Sequence, residues 1–392
     1  MSWEAVQLGD VIQTLKGYAF KSSHYVESGV PIVRASNFTM DSISNDDLKF
    51  YTQDEAAQFK KYELTTNDVL IQTVGSWESN PASVVGKVVR VPQLLNGALL
   101  NQNIVKVFPA DTNQLNLQYL FYRLKGHDFK RHNIGNAVGA ANQASITLET
   151  IRTFTFELPS LSTQKRIAEI LKGYDDLIEN NQKQIKLLEE AAQRLYKEWF
   201  VDLCVPGHET TPITDGIPEG WVEGTLADLA VFKRGKTITK GQVNEGNVPV
   251  VAGGIEPAYY HDTPNTDAPV ITVSGSGANA GFTRMYHTKI WASDCSYIDV
   301  SVTQDIAWIF CFLKENKASI DSMQKGAAQP HVYAKDINAM KTVVPCDSIM
   351  EQFRTMADSI FARIGKLEGQ IKILAEARDR LLPKLMNGEI EV

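Results

Sequence analysis

The sequence predicts an α+β fold: two mixed domains separated by two long helices that pair as an antiparallel intramolecular coiled coil, in a pseudo-twofold internal repeat. Three observations carry the prediction. The chain repeats itself, each copy closes on a stretch with heptad spacing, and each copy opens with short β-branched runs punctuated by turn residues. When residue n is laid over residue n+218 the beginnings match without a gap: Trp3 on Trp221, Leu8 on Leu226, Asp10 on Asp228, Lys16-Gly17 on Arg234-Gly235, and Val30-Pro31-Ile32-Val33 on Val248-Pro249-Val250-Val251. Toward the end of each copy the offset falls to 186, where Leu158-Pro159 meets Val344-Pro345 and Gln184-Ile185-Lys186 meets Gln370-Ile371-Lys372. The copies share a frame and differ in their middles. That is the arrangement expected of one task performed on two unlike targets.

Residues 1–157 form the first domain. They carry Pro31-Ile32-Val33, Val69-Leu70-Ile71, Val84-Val85 and Val88-Val89 between Gly, Asn, Asp and Pro, the pattern of strands joined by turns. Residues 221–344 form the second, with runs at Val248–Val251, Val270–Val273 and Tyr297–Val300. Helices are predicted at matching places, near Leu115–Leu124 and Asp305–Glu315, so each domain is mixed. Residues 158–203 and 345–392 are helical spacers. Residues 204–220, dense in Pro, Gly and Thr, are the linker between the halves.

In the first spacer, positions taken alternately four and three apart read Ile167, Leu171, Tyr174, Ile178, Asn181, Ile185, Leu188, Ala192, Leu195 and Trp199. The second gives Phe353, Ala357, Ile360, Ile364, Leu367, Ile371, Leu374, Arg378, Leu381 and Leu385. Nine of ten in each are apolar or aromatic, which makes a sustained 3.5-residue period and a coiled-coil seam. Two near-equal seams in one chain favour pairing with each other, because their effective concentration is high. Each seam spans ~48 Å at 1.5 Å per residue, the length of roughly 14 base pairs of duplex. Thr163 is the expected N-cap of the first helix, and Pro383 is expected to end or kink the second. One polar residue interrupts each seam, Asn181 and Arg378. Such a residue either fixes register and partner or lies where the seam opens to water.

A length of 392 residues favours two or more domains, and 43% hydrophobic with 22% charged residues is ordinary globular composition. The cysteines (Cys204, Cys295, Cys311, Cys346) stand apart, without CxxC or zinc spacing, as in a reducing, cytoplasmic setting. The opening Met-Ser-Trp-Glu-Ala lacks the regions of a signal peptide. The most apolar stretch, Ile306 to Leu313, is far shorter than a membrane helix, so no membrane role is expected. Net charge is −7, yet binding to a polyanion depends on where positive charge sits. Arg123, Lys125, Lys130, Arg131 and His132 form one basic group, and Lys233, Arg234, Lys236 and Lys240 another.

Before its closing strand each copy carries a glycine-alanine-alanine turn followed by polar residues: Gly139-Ala140-Ala141-Asn142-Gln143 and Gly326-Ala327-Ala328-Gln329-Pro330-His331. Small residues let backbone approach a ligand closely; an ordinary surface turn is the alternative. Catalytic motifs do not appear. Gly235-Lys236-Thr237 resembles the end of a P-loop, but its first glycine would fall at Ala230. Gly275-Ser276-Gly277 with Gly281 is one residue too long for GxGxxG and reads as a glycine-rich turn. No histidine or cysteine set offers a metal site.

The whole pattern resembles the specificity (S) subunit of type I restriction–modification systems. The resemblance rests on Leu158-Pro159-Ser160-Leu161, Gln164-Lys165-Arg166-Ile167, and the helix end Leu195-Tyr196-Lys197-Glu198-Trp199-Phe200-Val201-Asp202. It rests also on Ile217-Pro218-Glu219-Gly220-Trp221 and Val248-Pro249-Val250-Val251-Ala252-Gly253-Gly254. The second helix departs from it, with Cys346-Asp347-Ser348-Ile349-Met350-Glu351-Gln352 where the family repeats its Leu-Pro-x-Leu form.

The resemblance implies two target-recognition domains, each reading half of a split sequence in double-stranded DNA, and helices that dock two methyltransferase (M) subunits. Those subunits would methylate adenine N6 with S-adenosylmethionine. Restriction (R) subunits driven by ATP and Mg could join them, and this chain would bind no cofactor and catalyse nothing. Within that reading Lys21, Arg34, Asn37, Asn142 and Gln143 are the expected DNA contacts of the first domain, with Lys130 and Arg131 at phosphates. In the second domain they are Lys233, Lys236, Asn279, Arg284, Gln329 and His331. The rival reading is a coiled-coil scaffold or dimerisation protein that does not bind DNA.

Overall fold

A computed structural model describes residues 3–39, 42–77, 83–140, 143–325 and 330–392. The chain packs as two compact units, Met1–Leu177 with Leu374–Val392, and Ile178–Ile373. The packing therefore divides both helical spacers, and each unit takes a part of each.

In the first unit Glu4–Gln7 pairs antiparallel with Thr155–Leu158, closing the domain on itself. Its main sheet has four antiparallel strands in the order Ile12–Lys16, Ile104–Pro109, Val69–Gln72, Val88–Arg90. A second sheet orders Lys49–Tyr51, Val30–Val33 and Leu99–Leu100, the last pair parallel. The helix Leu117–Leu124 begins where the Asn116 side chain accepts from the Tyr119 amide at 3.0 Å, and it buries six successive residues, Tyr119 to Leu124.

The second unit repeats this scheme. Val222–Thr225 pairs with Lys341–Val344. Lys233–Arg234, Cys295–Asp299, Val270–Ser274 and Thr283–Tyr286 form the four-stranded sheet. Tyr259–His261, Val248–Val251 and Trp291–Ala292 form the three-stranded one, again with a parallel last pair. The helix Ile306–Glu315 lies in the core, with Ile306 to Leu313 buried. The duplicated sequence is a duplicated topology. The linker is structured as well, with Ile213–Thr214 pairing against Ile217–Pro218.

The two long helices are Leu161–Phe200 and Asp347–Met386, each ~60 Å at 1.5 Å per residue. Within each unit their segments run antiparallel, as partners on one rise while those on the other fall. In the first unit Ile167 and Leu171 share a core with Leu381, Leu385 and Met386, and Asp175 meets Arg378 at 2.7 Å. In the second, Asn181 Nδ2 donates to Gln370 Oε1 at 3.3 Å, and the Phe353 ring lies 5.0 Å from Phe200 and 6.0 Å from Trp199. The expected seam is inward-facing: Ala192, Ile364 and Leu367 are buried, and Ile178, Ile185, Leu188, Leu195, Ile360, Ile371 and Leu374 are half-buried.

Three expectations are revised. The first helix begins at Leu161, not after Thr163; the Ser160 hydroxyl accepts from the Thr163 amide at 3.3 Å, so Ser160 is the cap. Pro383 does not end the second helix, which continues to Met386; proline removes one amide there, close to a terminus. Nor does either seam open to water at its polar residue, since Asn181 is 7% exposed and the Arg378 side chain 11%.

Candidate nucleic-acid interface

In both units the described residues at the edge of the glycine-alanine-alanine segment meet the loop that leaves a strand of the main sheet; Gly326 to Gln329 lie outside the described residues. In the first, Val138–Ala140 and Gln143–Ser145 form a hairpin whose second strand pairs with Val74–Gly75. Trp77 Nε1 donates to the Ala140 carbonyl at 3.1 Å. In the second, His331 bridges both Ser276 and Lys325, and the Gly277 amide donates to the Pro330 carbonyl at 3.1 Å. The glycine-rich stretch read as a turn is one: Gly277–Asn279 is a single 3-10 turn with Gly277 at φ +79°. The first unit thus gathers a hairpin and a polar loop at one sheet end, and the second gathers there the bridges of His331 and the Gly277–Asn279 turn.

The expected contact residues are distributed unevenly. Gln143 is exposed on its hairpin strand. Lys130 and Arg131 lie on the short helix His127–Gly135, with Arg131 exposed. Lys21 is exposed, while its backbone amide and carbonyl are both tied to the Tyr51 hydroxyl, at 2.9 and 3.1 Å. Asn142 and Gln329 lie outside the described residues. In the second unit Lys233 is exposed at the sheet edge, and Asn279 closes the turn beside Ser276. The His331 ring stacks on Tyr333 at 5.9 Å. Lys236 is exposed over the Trp291 ring at 5.9 Å, and a single 3-10 turn at Lys240–Gln242 follows it where a P-loop would open an α-helix, so this glycine-lysine-threonine is no P-loop.

Other side chains are held by the fold. Asn37 is 3% exposed; its Oδ1 accepts from the Arg34 amide at 2.9 Å and its Nδ2 donates to the Asp46 carbonyl at 3.1 Å. Both ends of the buried amide brace its own loop. Arg34 Nη2 likewise donates to the Asp47 carbonyl at 2.6 Å and carboxylate at 3.0 Å. Lys49 first and then Arg34 hold the Asp47 carboxyl below its usual range. Arg284 donates to the Ile255 carbonyl at 3.3 Å and covers the Tyr286 ring. Arg123 leaves the expected basic group altogether: it is 5% exposed, bound bidentately to Asp128 at 2.9 and 2.5 Å and stacked over Phe154 and Phe156.

Sequence reasoning missed the polar turn at Asn101–Ile104, its counterpart Ser293–Cys295, and the cluster at the latter. There Asp294 accepts from the Ser276 hydroxyl, and Arg234 Nη2 reaches it at 3.3 Å. An acidic residue gives no signal in a search for basic patches. Among the described residues no group of three His, Cys, Asp or Glu side chains is placed to hold a metal, and no helix is long and apolar enough to cross a membrane. What the arrangement offers is hydrogen-bond donors and acceptors on loops, with lysine and arginine beside them.

Comparison with known proteins agrees with this geometry. A family model described as the type I restriction modification DNA specificity domain matches residues 1–190 and again 218–372. The chain is 26% identical to the type I restriction enzyme MjaIX specificity subunit of Methanocaldococcus jannaschii, over 76% of this chain and 74% of that one. It is 25% identical to the putative MjaX specificity subunit of the same organism, over 100% of this chain and 94% of that one. Among solved structures, the S subunit of a type I restriction–modification system from M. genitalium superposes with a TM-score of 0.58 at 17% identity, over 98% of this chain and 96% of that one. This last likeness is one of fold.

Proposed function

This chain belongs to the type I restriction–modification DNA specificity family, and on that premise we propose that it selects the DNA sequence on which partner enzymes act. Each of the two recognition domains reads one half of a bipartite target in double-stranded DNA, and the paired helices set the undefined gap between the halves. The observation that carries this reading is the duplicated topology with unlike loops: one frame, closed twice by the same strand pair, presenting different side chains at the same sheet end. An asymmetric target needs that combination.

Exposed cations such as Lys21, Arg131, Lys233 and Lys236 hold phosphates and carry no sequence information, while amides such as Gln143 and Asn279 are suited to base edges. The chain is the non-catalytic member of a cytoplasmic complex. Exposed faces of its two helices receive two adenine-N6 methyltransferase subunits, and restriction subunits join that assembly to make the nuclease. S-adenosylmethionine, ATP and Mg belong to those partners.

The direct test is selection of binding sites from a random duplex pool by the complex of this chain with its methyltransferase subunit. Two short defined blocks separated by a constant undefined gap are expected, with affinity falling steeply as salt rises. Enrichment of no sequence, or of one continuous block, contradicts the reading.

A further inference from the structure

Between its parallel edge strand and the central strand of the main sheet, each unit makes one tight turn, at residues 101–104 and at 293–295. Backbone hydrogen bonds frame the two turns alike. Asn101 N donates to Val33 O at 3.1 Å, and Ser293 N to Val251 O at 2.8 Å. Tyr18 N donates to Leu100 O and Lys236 N to Ala292 O, both at 2.9 Å. Thr73 N donates to Asn103 O at 2.9 Å, and Gly275 N to Asp294 O at 3.2 Å. Each turn is pressed by a glycine of the neighbouring segment. A Cβ on Gly17 would come within 1.9 Å of the Asn101 carbonyl, and one on Gly235 within 2.3 Å of the Ser293 carbonyl, so neither position admits a side chain. An exposed cation precedes each glycine, Lys16 in one unit and Arg234 in the other.

The frame is shared, while the turn differs in length and in its own side chains. The first unit places Gln102-Asn103 there, and the second, one residue shorter, places Asp294. Among the described hydrogen bonds none engages the Gln102 or Asn103 side chain, and Gln102 is exposed. A turn framed by backbone bonds has no need of these amides. Asp294 keeps a third of its side chain exposed while Arg234 and Ser276 orient the carboxylate and offset its charge, which near phosphates would otherwise be repelled.

We propose that this turn is a base-reading element of each recognition domain. It rests on the function proposed above and deepens it. In the first half the carboxamide of Gln102, donor and acceptor at once, matches N7 and N6 of an adenine in the major groove. In the second half the Asp294 carboxylate, acceptor only, takes the N4 amino group of a cytosine, with Arg234 beside it for the paired guanine. One frame then reads two kinds of base pair by exchanging one turn.

The test repeats binding-site selection with the full chain in its methyltransferase complex, comparing the wild type with Gln102→Ala and Asp294→Asn. Each variant is expected to relax one base position in one half of the motif, with discrimination there reduced roughly tenfold or more. The other half stays as it was, and the two variants affect opposite halves. Should Asp294→Asn instead disturb its whole domain, Gln102→Ala, whose side chain holds nothing in place, decides alone. Selection of the unaltered motif by Gln102→Ala and by a folded Asp294→Asn overturns the proposal and leaves the functional reading standing. A wild-type complex that selects no split motif overturns both.

Discussion

Arg378 Nη1 donates to Asp175 Oδ1 at 2.7 Å, tying the second long helix to the first inside the first compact unit. The same carboxylate accepts from Arg90 Nη2 at 3.0 Å and from the Tyr122 hydroxyl at 2.6 Å. One nearly buried group therefore joins both helices to a strand and a helix of the recognition domain. Arg378→Ala removes one partner of a carboxylate that keeps Arg90 and Tyr122, and is expected to lower unfolding free energy by about 1.5–3 kcal/mol, read from urea denaturation. The double variant with Asp175→Ala should cost clearly less than the sum of the single changes. Strict additivity would show that the pair does not act as a unit.

Gln164 is a second junction. Its Nε2 donates to the carbonyls of Gln114 and Pro159, both at 2.9 Å, and its Oε1 accepts from the Asn116 amide at 2.8 Å. The side chain is wholly buried. Gln164→Leu strands these backbone groups away from water and is expected to destabilise the chain by at least about 2 kcal/mol. Unchanged stability would mean that water replaces the amide.

Glu189 sits among charged groups of the second unit. Burial pushes its carboxyl above the ordinary range, Glu368 adds to this, and Lys314, His287 and Arg284 pull the other way. A raised folded value favours the protonated acid in the fold. Its stabilising effect is full below the ordinary 4.5 and is lost as pH rises through the folded value. Glu189→Gln, which mimics the protonated form, should therefore unfold at a higher temperature than wild type at about pH 7.5, with the gap closing toward about pH 4. A gap independent of pH would assign the effect to packing.

The thiols should divide by burial. Burial pushes Cys295 and Cys311 up to about 12, so neither presents thiolate at neutral pH. Cys204 is exposed. Alkylation followed by mass spectrometry should label Cys204 in the native chain, and Cys295 and Cys311 only after denaturation. Rapid native labelling of either buried cysteine would reveal local opening of the second domain.

The frame was legible in the sequence because periodicity survives folding. The heptads at Ile167–Trp199 and Phe353–Leu385 face inward, and the paired Val-Pro strands occupy equivalent sheets. The interface was less legible because a polar side chain's employment depends on partners distant in sequence. Arg123 read as surface charge, yet Asp128 and two phenylalanines some 30 residues away bury it. Asn37 read as a loop reader, yet its loop folds back upon it. Gln164 shows the same limit from the other side. Its place at offset 186 falls on Met350, so the repeat alone could not mark it as a polar junction.

The most direct test of the central claim is a methylome. The full chain is expressed with its methyltransferase subunit in a host without other adenine methylases, and N6-methyladenine is mapped by single-molecule sequencing. The account predicts one split motif with a modified adenine in each half and a gap of constant length. A soluble complex whose methylation is the same as that of the methyltransferase subunit alone would contradict it, and would make this chain a scaffold.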